Sequence, residues 1–304
     1  MALIRRLNVQ HFRSIRQLQL TLEPLTALVG PNGCGKSTIL AALDPTTGLY
    51  PAWRHQDLPI QIERLAEGGK GAISVRTQRD PMTRQQGHLR LVVQPLRLEL
   101  SAMRAGGLVE RAELLSPTGS TLTNLVGTLS RVQQAALATE LARRVPGIKD
   151  VDLVPTSAGF QRLRFHDAWS ATEYTPDEVS DGTMLMLAYL ALRFQKHRPD
   201  VITVEEPERG LHPYLLGELV KFLRELATGP EPMQVVLATH SPELLEHLKP
   251  EEVRFLSRDP QDGNVTVRAI DTSESDWPRY FREYEDQLGS AWLSGSLGGT
   301  PQTN

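Results

Sequence analysis

Thr26-Ala27-Leu28-Val29-Gly30-Pro31-Asn32-Gly33-Cys34-Gly35-Lys36-Ser37-Thr38 decides the fold. A short apolar, β-type run ends at Gly30, and residues 36–43 then read as a helix that stops near Asp44-Pro45. Between them, Gly30 to Thr38 fits the pattern G-x-x-x-x-G-K-[ST]. Glycines let the backbone wrap closely around a phosphate chain, so that its N–H groups point inward. The helix that follows offers its positive end to the same anion. Lys36 then reaches the β- and γ-phosphates of ATP, and the Ser37 hydroxyl ligates Mg²⁺. Asn32, Gly33, Gly35 and Thr38 complete the nucleotide-binding loop. A chance match in a chain of this length has a probability on the order of 1% on average composition. Cys34 occupies a variable position of the pattern and reads as a packing residue.

Outward from this loop, residues 3–10 and 16–22 read as strands separated by His11-Phe12-Arg13-Ser14. Residues 50–170 are less regular. Ala72 to Arg76 and Leu89 to Leu100 alternate like strands, with Pro95 interrupting the second. Thr123 to Arg144 has helical spacing at Leu125, Leu129, Val132, Leu137 and Leu141. Val151 to Val154 and Arg162 to Phe165 read as strands. Further on, Asp181 to Phe194 is an apolar helix, Val201 to Glu205 a buried strand, and Pro213 to Ala227 a helix with proline suited to its first turn. Val235 to Thr239, Val253 to Leu256 and Val265 to Ile270 are strands. Strands alternating with helices predict an α/β fold with a mostly parallel core sheet. No heptad pattern runs long enough for a coiled coil.

Three further segments carry chemistry. Val201-Ile202-Thr203-Val204-Glu205-Glu206 delivers two carboxylates to the end of a buried strand, where ligands of parallel sheets sit. Glu205 would hold Mg²⁺, and Glu206 would orient and deprotonate an attacking water. Ser180-Asp181-Gly182-Thr183 opens an apolar helix; Ser180 or Asp181 caps it, and such a terminus can also bind a γ-phosphate. Leu237-Ala238-Thr239-His240 ends a strand in a histidine placed to sense that phosphate or position the water.

The chain has 304 residues, a net charge of −3 and one cysteine, so no internal disulfide forms and a reducing, cytoplasmic setting is expected. Neither a signal peptide nor a run of about 18 apolar residues is present, so no membrane span is expected. Residues 70–111 hold eight Lys or Arg against three Asp or Glu, a local excess of 8 − 3 = +5 that would suit an anionic partner such as DNA or a merely solvated face.

With these motifs placed, the chain resembles an ABC-type ATPase head of the RecF/SMC class, and within it the stand-alone bacterial AAA ATPases related to the overcoming-lysogenisation (OLD) nucleases. Gly30 to Thr38 matches Walker A. Glu205-Glu206-Pro207-Glu208 with Gly210-Leu211-His212-Pro213 matches the Walker B and D-loop pattern, Ser180-Asp181-Gly182-Thr183 stands at the ABC signature, and His240 matches the switch histidine. Phe12-Arg13-Ser14 is typical of the class and adds Arg13 to the nucleotide-binding residues. Leu288 to Gly295 resembles the ends of such stand-alone ATPases, while Gln78 and Gln94 are the candidates for the Q-loop glutamine.

The resemblance implies a P-loop NTPase with an antiparallel N-terminal β-subdomain. Residues 1–50 and 171–275 would form the ATPase core, 51–170 an inserted α/β lobe and 276–304 a C-terminal helix and tail. It also implies a homodimer around two ATP molecules, with Ser180, Asp181 and Gly182 acting on the partner's nucleotide. The expected function is a switch ATPase that controls a separately encoded, nuclease-like effector in bacterial anti-phage defence or DNA maintenance. An appended nuclease domain is not expected, since about 35 residues follow Ile270. The alternative is a RecF-like repair ATPase that binds duplex DNA through residues 70–111. A transporter subunit is disfavoured by the Ser-Asp-Gly-Thr and Glu-Glu-Pro-Glu variants. Long SMC arms are disfavoured by the lack of heptads.

Overall fold

The structure is a computed structural model of the chain. It describes residues 3–43, 60–66, 73–77, 84–86, 92–156, 159–270 and 287–295, the side chains of 60–66, 73–77 and 84–86 excepted. The chain packs into two compact units. The first comprises Met1–Pro95, Pro199–Pro207 and Leu223–Asn304; the second comprises Leu96–Arg198 and Glu208–Phe222. Packing and motif order thus divide the chain along different lines, motif order placing its boundaries at residues 50 and 170.

The first unit holds two sheets. One is antiparallel and five-stranded. It contains β1 (Ile4–Phe12), β2 (Ile15–Thr21), β4 (Ile60–Ala66), β5 (Ile73–Thr77) and β6 (Arg84–Gln86), in the order β2-β1-β4-β5-β6. In β1 and β2 the apolar residues Leu7, Val9, Leu18 and Leu20 point to one buried face at the strand period of two. Ile4 is buried as well, an odd interval from Leu7, because the pairing of β1 with β4 shifts register between Ile4 and Arg6.

The other sheet is six-stranded. Its order is β15-β14-β3-β13-β12-β7, where β3 is Leu25–Val29, β7 Val93–Leu96, β12 Val201–Glu205, β13 Gln234–Thr239, β14 Val253–Arg258 and β15 Val265–Ala269. β14, β3, β13 and β12 run parallel, and β15 is antiparallel to β14. Every residue of β3 and β13 is buried, as expected where a parallel strand is covered on both faces. The helix after β3, α1 (Lys36–Leu43), joins β1 and β2 in one apolar cluster through Ile39, Leu40, Ala42 and Leu43. Gln234 ties the two sheets: its Nε2 donates to the carbonyls of Ile4 (2.9 Å) and Glu23 (3.1 Å), and its Oε1 accepts from Ile4 N (2.9 Å).

The second unit is built on α5 (Asp181–Ala191), whose residues from Gly182 onward are all buried. Around it lie α2 (Leu100–Arg104), α3 (Leu122–Thr128) and α4 (Arg131–Arg144). α4 also packs on β9 (Ile148–Pro155), which pairs with β10 (Phe160–Asp167); β8 (Gly107–Leu108) and β11 (Glu173–Tyr174) flank β10. Arg144, at the end of α4, is fully buried. Its guanidinium meets Glu140, lies 3.5 Å from Glu218 and stands 5.5 Å from the Phe222 ring. Glu218 and Phe222 belong to α6 (Pro213–Thr228), which contributes residues 213–222 to this unit.

Three readings of the sequence are corrected. Thr123 to Arg144 is not one helix: Leu129 adopts extended backbone, and Ser130 starts a new helix with a reciprocal capping box to Gln133. The helix from Asp181 ends at Ala191, and Leu192–Phe194 tighten into a 3₁₀ turn. Within Leu89 to Leu100, only Val93–Leu96 is a strand among the described residues, and Leu100 begins α2. Of the expected C-terminal helix and tail, the described part is α8 (Leu288–Leu293).

Candidate nucleotide-binding site

The parallel register sets up the site. Glu205 on β12 pairs with Ala238 on β13, and Thr239 pairs with Val29, the last residue of β3. Four neighbouring parallel strands therefore deliver their C-terminal ends to one edge, the place where such sheets bind ligands. A cavity of about 450 Å³ opens there. It is lined by Arg13, Ser14, Asn32, Gly33, Gly35, Lys36, Ser37, Thr38, Glu205, Glu206, Ala238 and Arg258.

The loop after β3 is held from below. A Cβ on Gly30 would come within 2.5 Å of Leu256 O on β14, and one on Gly35 (φ 108°) within 2.7 Å of Val265 on β15. Neither position admits a side chain without displacing backbone or core. Lys36 is buried. Its Nζ donates to Gly30 O (2.6 Å) and Pro31 O (2.9 Å), and no carboxylate pairs with it among the described residues. The ammonium thus lies in the cavity wall, met among the described residues by two carbonyl dipoles and the Cys34 sulfur, a setting that favours an anion. Burial pushes the Cys34 thiol above its ordinary value, although Lys36 beside it pulls the other way.

The acidic side is equally specific. Ser37 Oγ donates to Glu205 Oε1. This hydroxyl–carboxylate pair supplies two hard oxygen donors, which suits Mg²⁺ completed by phosphate oxygens and water. No cluster of three or more Asp, Glu, His or Cys able to hold a metal by itself occurs among the described residues. Glu206 has left-handed backbone (φ 49°), which a non-glycine residue adopts at a cost of about 1–3 kcal/mol. Its N–H donates to Ala238 O (2.9 Å), and its Oε1 lies 3.4 Å from His240 Nδ1. His240 stands between β13 and the short helix α7 (Pro242–Leu245), which Ser241 caps by accepting from Leu244 N (3.1 Å). Arg13, also left-handed (φ 53°), sits in the β1–β2 turn with its guanidinium 5.3 Å from the Phe12 ring centre.

Ser180, Asp181 and Gly182 lie in the second unit. Ser180 is the N-cap of α5, accepting from Thr183 N (3.2 Å), and both Ser180 and Asp181 are exposed. Two residues that sequence reading missed stand out. Arg104, on α2, donates to Pro176 O (3.0 Å), Val179 O (3.1 Å) and Asp181 Oδ1 (2.7 Å), so one guanidinium fixes the loop that leads into α5. Arg258 closes the first unit's cavity from β14. Their roles arise from pairing between distant segments, which no local pattern reveals. Of the basic stretch 70–111, Lys70, Arg79 and Arg90 lie outside the described residues, as do the side chains of Arg76 and Arg84. Gln78 lies outside them too, while Gln94 is buried in β7 and does not line the cavity.

A family described as "AAA domain, putative AbiEii toxin, Type IV TA system" matches residues 101–246, and one described as "AAA ATPase domain" matches residues 3–45. Both matches are to ATPase domains, and the fold is like that of the heads of SMC proteins. Among solved structures, an SMC head bound to the C-terminal winged-helix domain of ScpA aligns with a TM-score of 0.58 at 14% identity, over 90% of this chain and 98% of that one. The SMC head domain from Thermotoga maritima aligns at 0.54 and 14%, over 88% and 99%.

In sequence the chain is related to the OLD nuclease of Thermus scotoductus, 24% identical over 90% of this chain and 66% of that protein, so it spans slightly less than two thirds of its relative. It is also similar to the phosphate import ATP-binding protein PstB of Cutibacterium acnes, 23% identical over 94% of each. Among the described residues no helix is long and apolar enough to cross a membrane.

Proposed function

We propose that the protein is a Mg²⁺-dependent ATP-hydrolysing switch that pairs head-to-tail with a second copy of itself around ATP. The observation that carries this reading is the convergence of the Ser37–Glu205 and Glu206–His240 pairs with Lys36 at one sheet edge. Lys36 and the loop N–H groups would bind the β- and γ-phosphates, with Asn32, Gly33, Gly35, Thr38 and Arg13 around them. Ser37 and Glu205 would hold Mg²⁺, which when bound neutralises charge on the phosphate oxygens. Glu206 would orient a water in line with the γ-phosphate and accept its proton, and His240 would fix the Glu206 carboxylate and register the phosphate. Ser180, Asp181 and Gly182 would close over the nucleotide of the partner copy. ATP would then stabilise the closed pair, and its loss would release it.

The output we propose is control of a separately encoded, nuclease-like effector in bacterial defence. The descriptions of its relatives, a putative toxin of a type IV toxin–antitoxin system and an OLD nuclease, support it. Direct binding of duplex DNA through residues 70–111 has no such support, and Arg104 is committed to the loop before α5.

Glu206→Gln should lower turnover by about 10²-fold or more while retaining ATP, and it should accumulate as a dimer with ATP on light scattering. Hydrolysis at the wild-type rate would rule out Glu206 as the base. Lys36→Ala should lose nucleotide binding by calorimetry; undiminished binding would contradict the nucleotide site itself.

A further inference from the structure

Arg258 is the last residue of β14, the strand next to β3 on the side away from β13 and β12. Its Nε donates to Gly33 O (2.7 Å) and its Nη1 to Gly263 O (2.7 Å). Both acceptors are backbone carbonyls. No carboxylate pairs with this guanidinium among the described residues, and Nη2 keeps both N–H groups uncommitted there. Arg258 lines the cavity together with Lys36 and Arg13. The start of β2, directly after the turn that carries Arg13, is bound to the same β14–β15 hairpin: Arg16 N donates to Asn264 Oδ1 (3.0 Å), Asn264 Nδ2 donates to Gln17 O (3.2 Å), and the Arg16 guanidinium lies 3.2 Å from Asp262. A cation fixed at its root, lining this cavity and without an acidic partner among the described residues, is arranged for an anionic ligand.

The strand order says which part of that ligand it meets. Glu205, Glu206 and His240 end β12 and β13, on one side of the phosphate loop, and Arg258 ends β14 on the other. The hydrolysed γ-phosphate belongs on the side of Glu206. We propose that Arg258 is a nucleotide-binding residue that grips the nucleoside-proximal phosphates, opposite the hydrolytic groups. This inference rests on the ATPase reading above. A contact made equally with bound substrate and transition state sets affinity far more than rate.

The test uses the full chain, with nucleotide affinity measured by calorimetry and steady-state hydrolysis measured in parallel. Arg258→Gln keeps a donor for Gly33 O but removes the charge. It should weaken ATP and ADP binding alike, by about tenfold, as expected for losing a charged hydrogen bond in a solvent-accessible cavity. KM should rise in step, and kcat should fall by less than about threefold. Arg258→Lys restores the charge and should recover most of the affinity. Unchanged affinity in Arg258→Gln, a loss confined to kcat, a loss for ATP but not ADP, or a lysine variant as weak as the glutamine variant would each overturn the proposal. If Arg258→Gln fails to fold, Arg258→Met, which keeps the aliphatic stem and removes the charge, takes its place under the same criteria. Wild-type protein and Lys36→Ala separate the two failures. If the wild type binds no ATP, the ATPase reading falls. If it binds, Lys36→Ala does not, and Arg258→Gln is unimpaired, only the Arg258 assignment falls.

Discussion

Glu206 shows what the end of a strand can be asked to do. It pairs with His240 at 3.4 Å from a backbone in the left-handed region, where φ is 49°. Glycine there has no Cβ to strain, so Glu206→Gly should raise stability by about 0.5–1 kcal/mol in a denaturant titration, and it should be inactive. A loss of stability would mean that the carboxylate contacts outweigh the strain. The strain itself could not be read from the sequence, since Glu205-Glu206 looks like an ordinary pair of acids after a β-branched run. What could be read was the position, because Val201 to Glu205 ends where a buried parallel strand should end. Lys36 and Ser37 were legible for the same reason: their spacing is local and the motif is self-contained. Arg258 was not, because its acceptor, Gly33 O, lies 225 residues away along the chain.

Among the elements, α5 and the loop before it depend on α2. Arg104 holds Pro176, Val179 and Asp181 at once, and its charge offsets that of Asp181 at the exposed start of the helix. Arg104→Met keeps the aliphatic stem and removes these bonds. Calorimetry should find its ATP affinity unchanged, because the cavity belongs to the other unit. Turnover and ATP-dependent dimerisation should fall by about tenfold or more if the loop acts on a partner's nucleotide. Full turnover in this variant would remove that loop from the reaction. The elements that sequence reading blurred were blurred for identifiable reasons. The helical period runs through Leu125, Leu129, Val132 and Leu137 without a visible gap, yet Val132 is 80% exposed while Leu137 is buried. The break is signalled only by Ser130 and Gln133, a capping box inside what looked like one helix. The strands β4, β5 and β6 join β1 through long-range pairing, which the alternation of each segment alone does not specify.

At the scale of the whole chain, the two compact units alternate along the sequence, changing at 95/96, 198/199, 207/208 and 222/223. The segment 96–198 lacks Glu218 and Phe222, the neighbours of the fully buried Arg144, and so is not a self-sufficient piece. The packing residue of the phosphate loop has a practical consequence at the same scale. Cys34 is the only cysteine among 304 residues. It is buried, its thiol is pushed away from ionising, and a Cβ on Gly30 would lie 2.8 Å from its sulfur. Alkylating reagents need an accessible thiolate, so they reach this sulfur only when the loop opens. Mass spectrometry of the unmutated protein should therefore find slow modification, slower still with saturating nucleotide; rapid labelling regardless of nucleotide would show that the loop stands open. The native chain thus carries a single built-in chemical clock for the opening of its own phosphate loop.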